Sequence, residues 1–322
     1  MEKTFSKDIF VISDLHMGDR GPRDNFYSIP KENPGQRYNL LKEFLEMVQK
    51  QNGALVILGD LFEFWQANMG EVIKQNIELI NILGEMDVQY VIGNHDVDLE
   101  PLMGLDIFSH KFFRSMTPPF TAKIGSDDFY FCHGHESDPY NKGTRPSMGR
   151  VLAIVAGLFE DRFGVQLVSN ISTEDFCAQM GEKIIKSANG ALNGIKDKIT
   201  HYFSSEAKKE LTPTQEKNYI NDLFDAVIKE HKHKGYQKLI VGHTHFPGQY
   251  EDWYYNAGSW VGSRDGEPFG NFVWITKNGK VDICEYFKKK VDYISAIYKW
   301  DANRKLITNL DYSSGEPVLV GE

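Results

Sequence analysis

The sequence predicts an α/β fold: two mixed sheets with helices outside, interrupted by a helical insertion. Three observations carry that expectation. Five apolar strand patterns each run straight into Asp, Asn or His. Strand and helix patterns alternate through the first part of the chain. The stretch Thr144 to Gly235 then shows helical spacing and no convincing strand.

The organising segment is Ala54-Leu55-Val56-Ile57-Leu58, which runs into Gly59-Asp60. A short continuous apolar run reads as a strand buried on both faces, as in parallel sheets. Ligands of open α/β sheets sit at the carboxyl ends of strands. The same grammar recurs four times. Phe10 to Ser13 leads to Asp14-Leu15-His16, and Val88 to Ile92 leads to Gly93-Asn94-His95-Asp96. Phe129 to Cys132 leads to His133-Gly134-His135, and Lys238 to Val241 leads to Gly242-His243-Thr244-His245.

Between these strands, apolar spacing predicts a helix over about Arg37 to Gln51, carrying Leu40, Leu41, Phe44, Leu45 and Val48 on one face. A second is predicted over about Gly70 to Glu85, with Val72, Ile73, Ile77, Ile80 and Leu83. Met17 to Pro34 is rich in Gly, Pro, Asp and Arg and reads as a rim loop. Strand–helix–strand order favours a parallel sheet with right-handed crossovers. Hairpin signals follow at Gly125-Ser126-Asp127-Asp128, between Gln249 and Asn256, and at Asn278-Gly279. The tail Phe287 to Glu322 opens on Lys288-Lys289-Lys290 and has no assigned role.

Composition is that of an ordinary globular protein, with 25% charged and 41% hydrophobic residues. A net charge of −9 disfavours non-specific attraction to nucleic acid or to an anionic membrane surface. No nucleic-acid partner is expected, although peripheral membrane contact stays open. The three cysteines, Cys132, Cys177 and Cys284, are scattered and form no CxxC pair, which points to free thiols in a reducing compartment. The start of the chain has no apolar leader pattern, and the run Val151 to Phe159 is too short to span a bilayer. A soluble cytoplasmic protein is expected.

Six of the ten histidines fall in the five strand-end motifs: His16, His95, His133, His135, His243 and His245. Mixed imidazole and carboxylate donors suit Mn²⁺, Fe or Zn²⁺, whereas Mg²⁺ and Ca²⁺ prefer oxygen alone. Two ions about 3.5–4 Å apart form a clamp for in-line attack at phosphorus. The motifs supply enough donors for such a pair, including a carboxylate to bridge it. His135 reads equally as a residue supporting a ligand, as a substrate contact, or as a side chain facing solvent. The cluster Phe62, Phe64 and Trp65 reads as core more readily than as a ligand platform.

Asp14-Leu15-His16, Gly59-Asp60, Gly93-Asn94-His95-Asp96, His133-Gly134 and Gly242-His243-Thr244-His245 resemble, in order, the five motifs of the calcineurin-like metallophosphoesterases. The resemblance implies a four-layer α-β-β-α sandwich. It implies that Asp14, His16, Asp60 and His245 hold a first metal, and that Asp60, Asn94, His133 and His243 hold a second, with Asp60 bridging. It implies that His95 assists the transition state or leaving group, oriented by Asp96, while a metal-bridging hydroxide attacks phosphorus. Mn²⁺ is the expected metal, with Fe or Zn²⁺ as alternatives. Asn256-Ala257-Gly258-Ser259-Trp260 is similar to a family segment that supports the site; the alternative is a plain turn.

Gly59-Asp60-Leu61-Phe62-Glu63-Phe64-Trp65 also resembles the UDP-2,3-diacylglucosamine hydrolases, which carry a helical insertion at the same place. The chain departs from them at His133-Gly134-His135-Glu136, where they have His-Gly-Asp. The resemblance implies a small-molecule or lipid-linked phosphate substrate. UDP-2,3-diacylglucosamine, a phosphoprotein and a nucleic acid are the specific alternatives, and a binding protein on an inactive fold is the non-enzyme one. Domain boundaries are expected at 1–290, interrupted by a helical cap over about 144–235, with a C-terminal extension at 291–322. Arg145 and Arg150, beside the apolar run Val151 to Phe159, are candidate substrate contacts. Oligomeric state is left open.

Overall fold

In the computed structural model, residues 2–21, 23–28, 33–105, 110–138, 141, 223–261 and 270–287 are described, together with the backbone of strands further on. The chain divides into two compact units. One joins Met1–His135 to Val227–Glu322, and the other is Glu136–Ala226. All but a few residues of the second unit lie outside the described residues. Arg145, Arg150, the run Val151 to Phe159 and the predicted cap as far as residue 222 lie there with it, whereas residues 223–231 are helical.

The first unit is built on two eight-stranded sheets. One contains β1 (Glu2–Thr4), β6 (Phe120–Ile124), β7 (Asp127–Phe131), β8 (Lys238–Val241), β10 (Tyr254–Asn256), β9 (Gly248–Tyr250), β14 (Tyr298–Trp300) and β15 (Leu306–Thr308), in that spatial order. The other contains β16 (Val318–Leu319), β13 (Lys290–Tyr293), β12 (Val281–Phe287), β11 (Asn271–Ile275), β2 (Ile9–Ile12), β3 (Ala54–Leu58), β4 (Val88–Val91) and β5 (Met116–Thr117). Strands β2, β3, β4 and β5 are mutually parallel, as are β7, β8 and β10. Both sheets are mixed, because hairpins add antiparallel strands beside each parallel block.

The burial of β3 explains its unbroken apolar run. Ala54, Val56 and Leu58 face a core shared with Phe129, Phe131, Ile240 and Tyr255 of the other sheet. Leu55 and Ile57 face the outer core, against Leu41, Phe44 and Leu45 of helix α2. Period-two alternation puts one set on each side, and both sides are dry. Each fully buried Val, Leu, Ile or Phe contributes about 1.5–3 kcal/mol.

The helices before β5 are α1 (Asn25–Ser28), α2 (Gln36–Lys50), α3 (Met69–Gln75), α4 (Ile77–Gly84) and α5 (Lys111–Arg114). Helix α2 falls within one residue of expectation. The second predicted helix is instead two, α3 and α4, broken at Asn76. That side chain is buried and donates Nδ2 to both Val72 O and Gly18 O at 2.8 Å. A side chain bonding back into the ladder bends a helix, and here the bend reaches the rim loop. The β6–β7 turn is also tighter than expected, with Gly125 at φ 62° and β7 starting at Asp127. His231 is buried and hydrogen-bonds the Tyr236 hydroxyl.

The tail adds strands to both sheets. β13 pairs with β12 and β16 with β13, while β14 pairs with β9 and β15 with β14. Cys132 and Cys284 are buried free thiols. No described helix is long and apolar enough to cross a membrane.

Candidate metal centre

Each strand-end motif leaves its sheet at the carboxyl edge. Asp14 and His16 follow β2, Asp60 follows β3, and Asn94 and His95 follow β4 of one sheet. His133 follows β7, and His243 and His245 follow β8 of the other. The site therefore lies where the carboxyl ends of the two parallel blocks meet.

The backbone there is unusual. Asp14, His16, Asp60, His243 and His245 all have positive φ, between 47° and 69°. Such left-handed placements cost about 1–3 kcal/mol each for a residue with a side chain, and cluster where a site requires them. The turns are held by Leu15 N and His16 N donating to Asp60 O at 2.9 and 2.8 Å, and by His243 N donating to Asp14 Oδ2 at 2.8 Å. Glycines let the turns approach: a Cβ on Gly93 would lie 2.2 Å from Asp60 Oδ1. One on Gly242 would lie 1.8 Å from Ser13 Oγ and 2.6 Å from Asp14 Oδ2. Gly242→Ala is therefore expected to destabilise the fold by about 1–3 kcal/mol or more through overpacking. Thermal denaturation checks this, with Ser13→Gly expected to restore part of the loss. A wild-type melting temperature in Gly242→Ala would refute the close approach.

The segment after β10 braces the rim. Asn256 Nδ2 donates to Gly242 O at 2.8 Å and Thr244 Oγ1 at 3.0 Å. Ser259 Oγ and Trp260 N donate to Asp14 O at 2.9 and 3.1 Å. It is thus a support of the site and not only a turn.

Side chains converge in two groups whose ligand atoms lie within 4.8 Å of one another: Asp14, His16 and His245, and Asp60, His133 and His243. Asn94 Oδ1 lies 3.0 Å from His133 Nε2 and so joins the second. All seven predicted ligands reach one rim.

Hydrogen bonding tests whether cations fit there. His133 Nδ1 lies 2.5 Å from the Leu58 carbonyl, which only accepts, so Nδ1 carries the proton. His16 Nδ1 lies 3.2 Å from the Glu63 carboxylate, which assigns its proton in the same way. With that proton on Nδ1, deprotonation of Nε2 leaves a lone pair directed at the rim. Asp60 Oδ2 lies 3.2 Å from His133 Nε2 and 3.9 Å from His16 Nε2. It is buried and has no hydrogen bond among the described residues, and neither has Asp14 Oδ1. His16 Nε2 and His245 Nε2 approach to 3.1 Å. Buried acceptors facing one another repel unless cations lie between them. The donor set fits two divalent ions, with Asp60 between them.

Electrostatics point the same way. Burial opposes ionisation of Asp14, Asp60 and Glu63, yet the surrounding histidines hold all three carboxyls below their ordinary range, Glu63 at about 2. Asp96 goes the other way, pushed up to about 6 by burial and by the Asp60 charge.

A model of the family described as "Calcineurin-like phosphoesterase" matches residues 7–283, most of the chain. The chain belongs to the calcineurin-like phosphoesterase family. Its two mixed sheets with flanking helices are the α/β sandwich of that family, and groups that could hold metal ions lie at strand ends of both sheets. The chain is also similar to a UDP-2,3-diacylglucosamine hydrolase of Porphyromonas gingivalis, 23% identical over 133 residues. That match covers 40% of this chain and 46% of the relative, so it spans less than half the relative's length.

His95 is placed differently from expectation. The sequence reading gave its orientation to Asp96. The Asp96 carboxylate instead accepts from Gly93 N at 2.6 Å, Leu61 N at 2.8 Å and the Tyr90 hydroxyl. It thereby ties the β4 turn to the residue after Asp60. The group on His95 Nδ1 is Glu63, at 2.7 Å, and Trp65 stacks on the ring with centroids 3.7 Å apart. Glu63 went unread because a lone glutamate among aromatics looks like a solvated charge. Its position three residues past Asp60, on a turn bridged to Met17, was the available signal. Phe62 and Phe64 belong to the core as expected, whereas Trp65 is both buried and in contact with the site. The His135 ring lies 5.2 Å from that of His133 and 6.4 Å from that of His243, centroid to centroid.

Proposed function

We propose that this protein hydrolyses a phosphate ester or diphosphate of a small or lipid-linked molecule, using two divalent ions held by Asp14, His16, Asp60, Asn94, His133, His243 and His245. The observation that carries the reading is the buried Asp60 Oδ2, set between His133 Nε2 and His16 Nε2 with no hydrogen bond among the described residues. When bound, the ions supply a nucleophile at neutral pH and offset charge gathering on the phosphoryl oxygens. Asp60 shares its charge between the two positions. His95 keeps Nδ1–H on Glu63 and presents Nε2; the doubly protonated ring would carry an Nε2–H that donates to a phosphoryl oxygen or passes to the leaving oxygen. Trp65 covers one face of that ring and keeps water from it. Mn²⁺ is the proposed metal, because the donors mix imidazole with carboxylate.

The similarity to a UDP-2,3-diacylglucosamine hydrolase supports an acylated nucleoside diphosphate sugar as the substrate class. The test is a panel on Mn²⁺-loaded protein: an aryl phosphate monoester, an aryl diester, a phosphopeptide, an oligonucleotide and a UDP-linked acylated sugar. The expected result is turnover of the last at the highest kcat/KM. Preference for the phosphopeptide or the oligonucleotide would move the protein to another substrate class. Inertness toward the whole panel in metal-replete protein would contradict the reading.

A further inference from the structure

His16 and His95 share one acceptor. Glu63 Oε2 lies 3.2 Å from His16 Nδ1 and 2.7 Å from His95 Nδ1, and the two rings meet edge to face with centroids 4.5 Å apart. The other oxygen of Glu63 accepts from Trp65 N at 2.9 Å. The Trp65 indole lies on His95 and donates Nε1 to Asn94 O at 2.9 Å. The carboxylate therefore cannot turn from the two histidines without releasing Trp65. His16, Glu63 and His95 are a third group whose ligand atoms converge within 4.8 Å. The two ring nitrogens are already within hydrogen-bond range of the one oxygen, so N–H protons occupy that space in place of an ion.

We propose that Glu63 is a positioning residue that couples occupancy of the His16 metal site to the state of His95. The inference rests on the reading that His16 ligates an ion and that His95 acts on the phosphoryl group. An ionised carboxylate only accepts, so one oxygen holds both rings with Nδ1 protonated. His16 Nε2 is then a lone pair that suits an ion, and on His95 a second proton, at Nε2, is the one the substrate would meet. A cation on His16 Nε2 draws density from the ring and makes its Nδ1–H a stronger donor. Glu63 Oε2 then gives more of its charge to His16 and less to His95. His95 registers the filling of the metal site through that shared oxygen, and the empty site holds it in a different electronic state.

Nitrogen-15 spectra of the histidine rings test this, in metal-free protein and with the diamagnetic ion Zn²⁺ added. His95 signals are assigned by their loss in His95→Gln. In the wild type, His95 is expected with Nδ1 protonated, and its Nδ1 signal should move as Zn²⁺ binds. In Glu63→Gln, which keeps the volume, and in Glu63→Ala, Zn²⁺ affinity should fall by about 10–100-fold. At saturating Zn²⁺ the His95 signal should no longer follow the metal, and kcat should fall with KM little changed. Glu63→Asp should restore part of the kcat. A His95 signal that moves as far in Glu63→Ala as in the wild type would overturn the coupling. So would a wild type that binds Zn²⁺ with His95 unmoved. A wild type that binds no Zn²⁺ would instead overturn the functional reading beneath it.

Discussion

Asp60→Asn is expected to lower metal occupancy and turnover together, each by more than about a hundredfold. That is beyond the cost usual for groups that only support a ligand. The substitution removes the one negative charge placed between both ion positions. It should not harm the metal-free fold. Asn keeps an oxygen for His95 N, which Asp60 Oδ1 holds at 2.8 Å. Its new amide can donate to His133 Nε2, which faces Asp60 Oδ2 at 3.2 Å. The melting temperature of metal-free Asp60→Asn should therefore equal or exceed that of metal-free wild type. Metal content by mass spectrometry, turnover and thermal denaturation on the same preparation check the prediction. Full occupancy with wild-type rates would remove Asp60 from the site.

The second large effect is expected at His95. His95→Ala should keep two ions and lose kcat by about 10²–10⁴-fold, the range of a general acid, with KM little changed. The loss should shrink for a substrate whose leaving group is acidic enough to depart unprotonated. Trp65 loses the ring it stacks on, so His95→Gln, which fills more of the space, separates packing from chemistry. Loss of one ion in both variants would make His95 a ligand. Equal loss across leaving groups would leave it stabilising charge without moving a proton.

The parts of the fold legible in the sequence were those where local pattern and tertiary role agree. An apolar strand ending in Asp, Asn or His is rare enough that five of them locate both sheets and the rim between them. Helix α2 was legible because the residues of its apolar stripe are the ones that pack into the outer core. The break between α3 and α4 was not, since it depends on Asn76 reaching Gly18, far away in the sequence. Strands β13 to β16 were hidden because pairing at a sheet edge is a non-local event that the tail's own sequence does not announce. At the site, the ligand types announced themselves by chemistry. Glu63 did not, because what matters is which imidazole nitrogens face its oxygens. The family resemblance pairs Asp96 with His95, yet the Asp96 carboxylate meets Gly93, Leu61 and Tyr90.

The most direct test of the dimetal reading is a titration of Mn²⁺ into metal-free wild-type protein, following bound metal and hydrolysis of an aryl phosphate diester in the same samples. The account predicts two ions bound per chain and turnover that rises with the second. Chelator should abolish it, and Asp60→Asn should show neither the ions nor the turnover. Undiminished hydrolysis by metal-free protein, or full activity with a single ion bound, would contradict it.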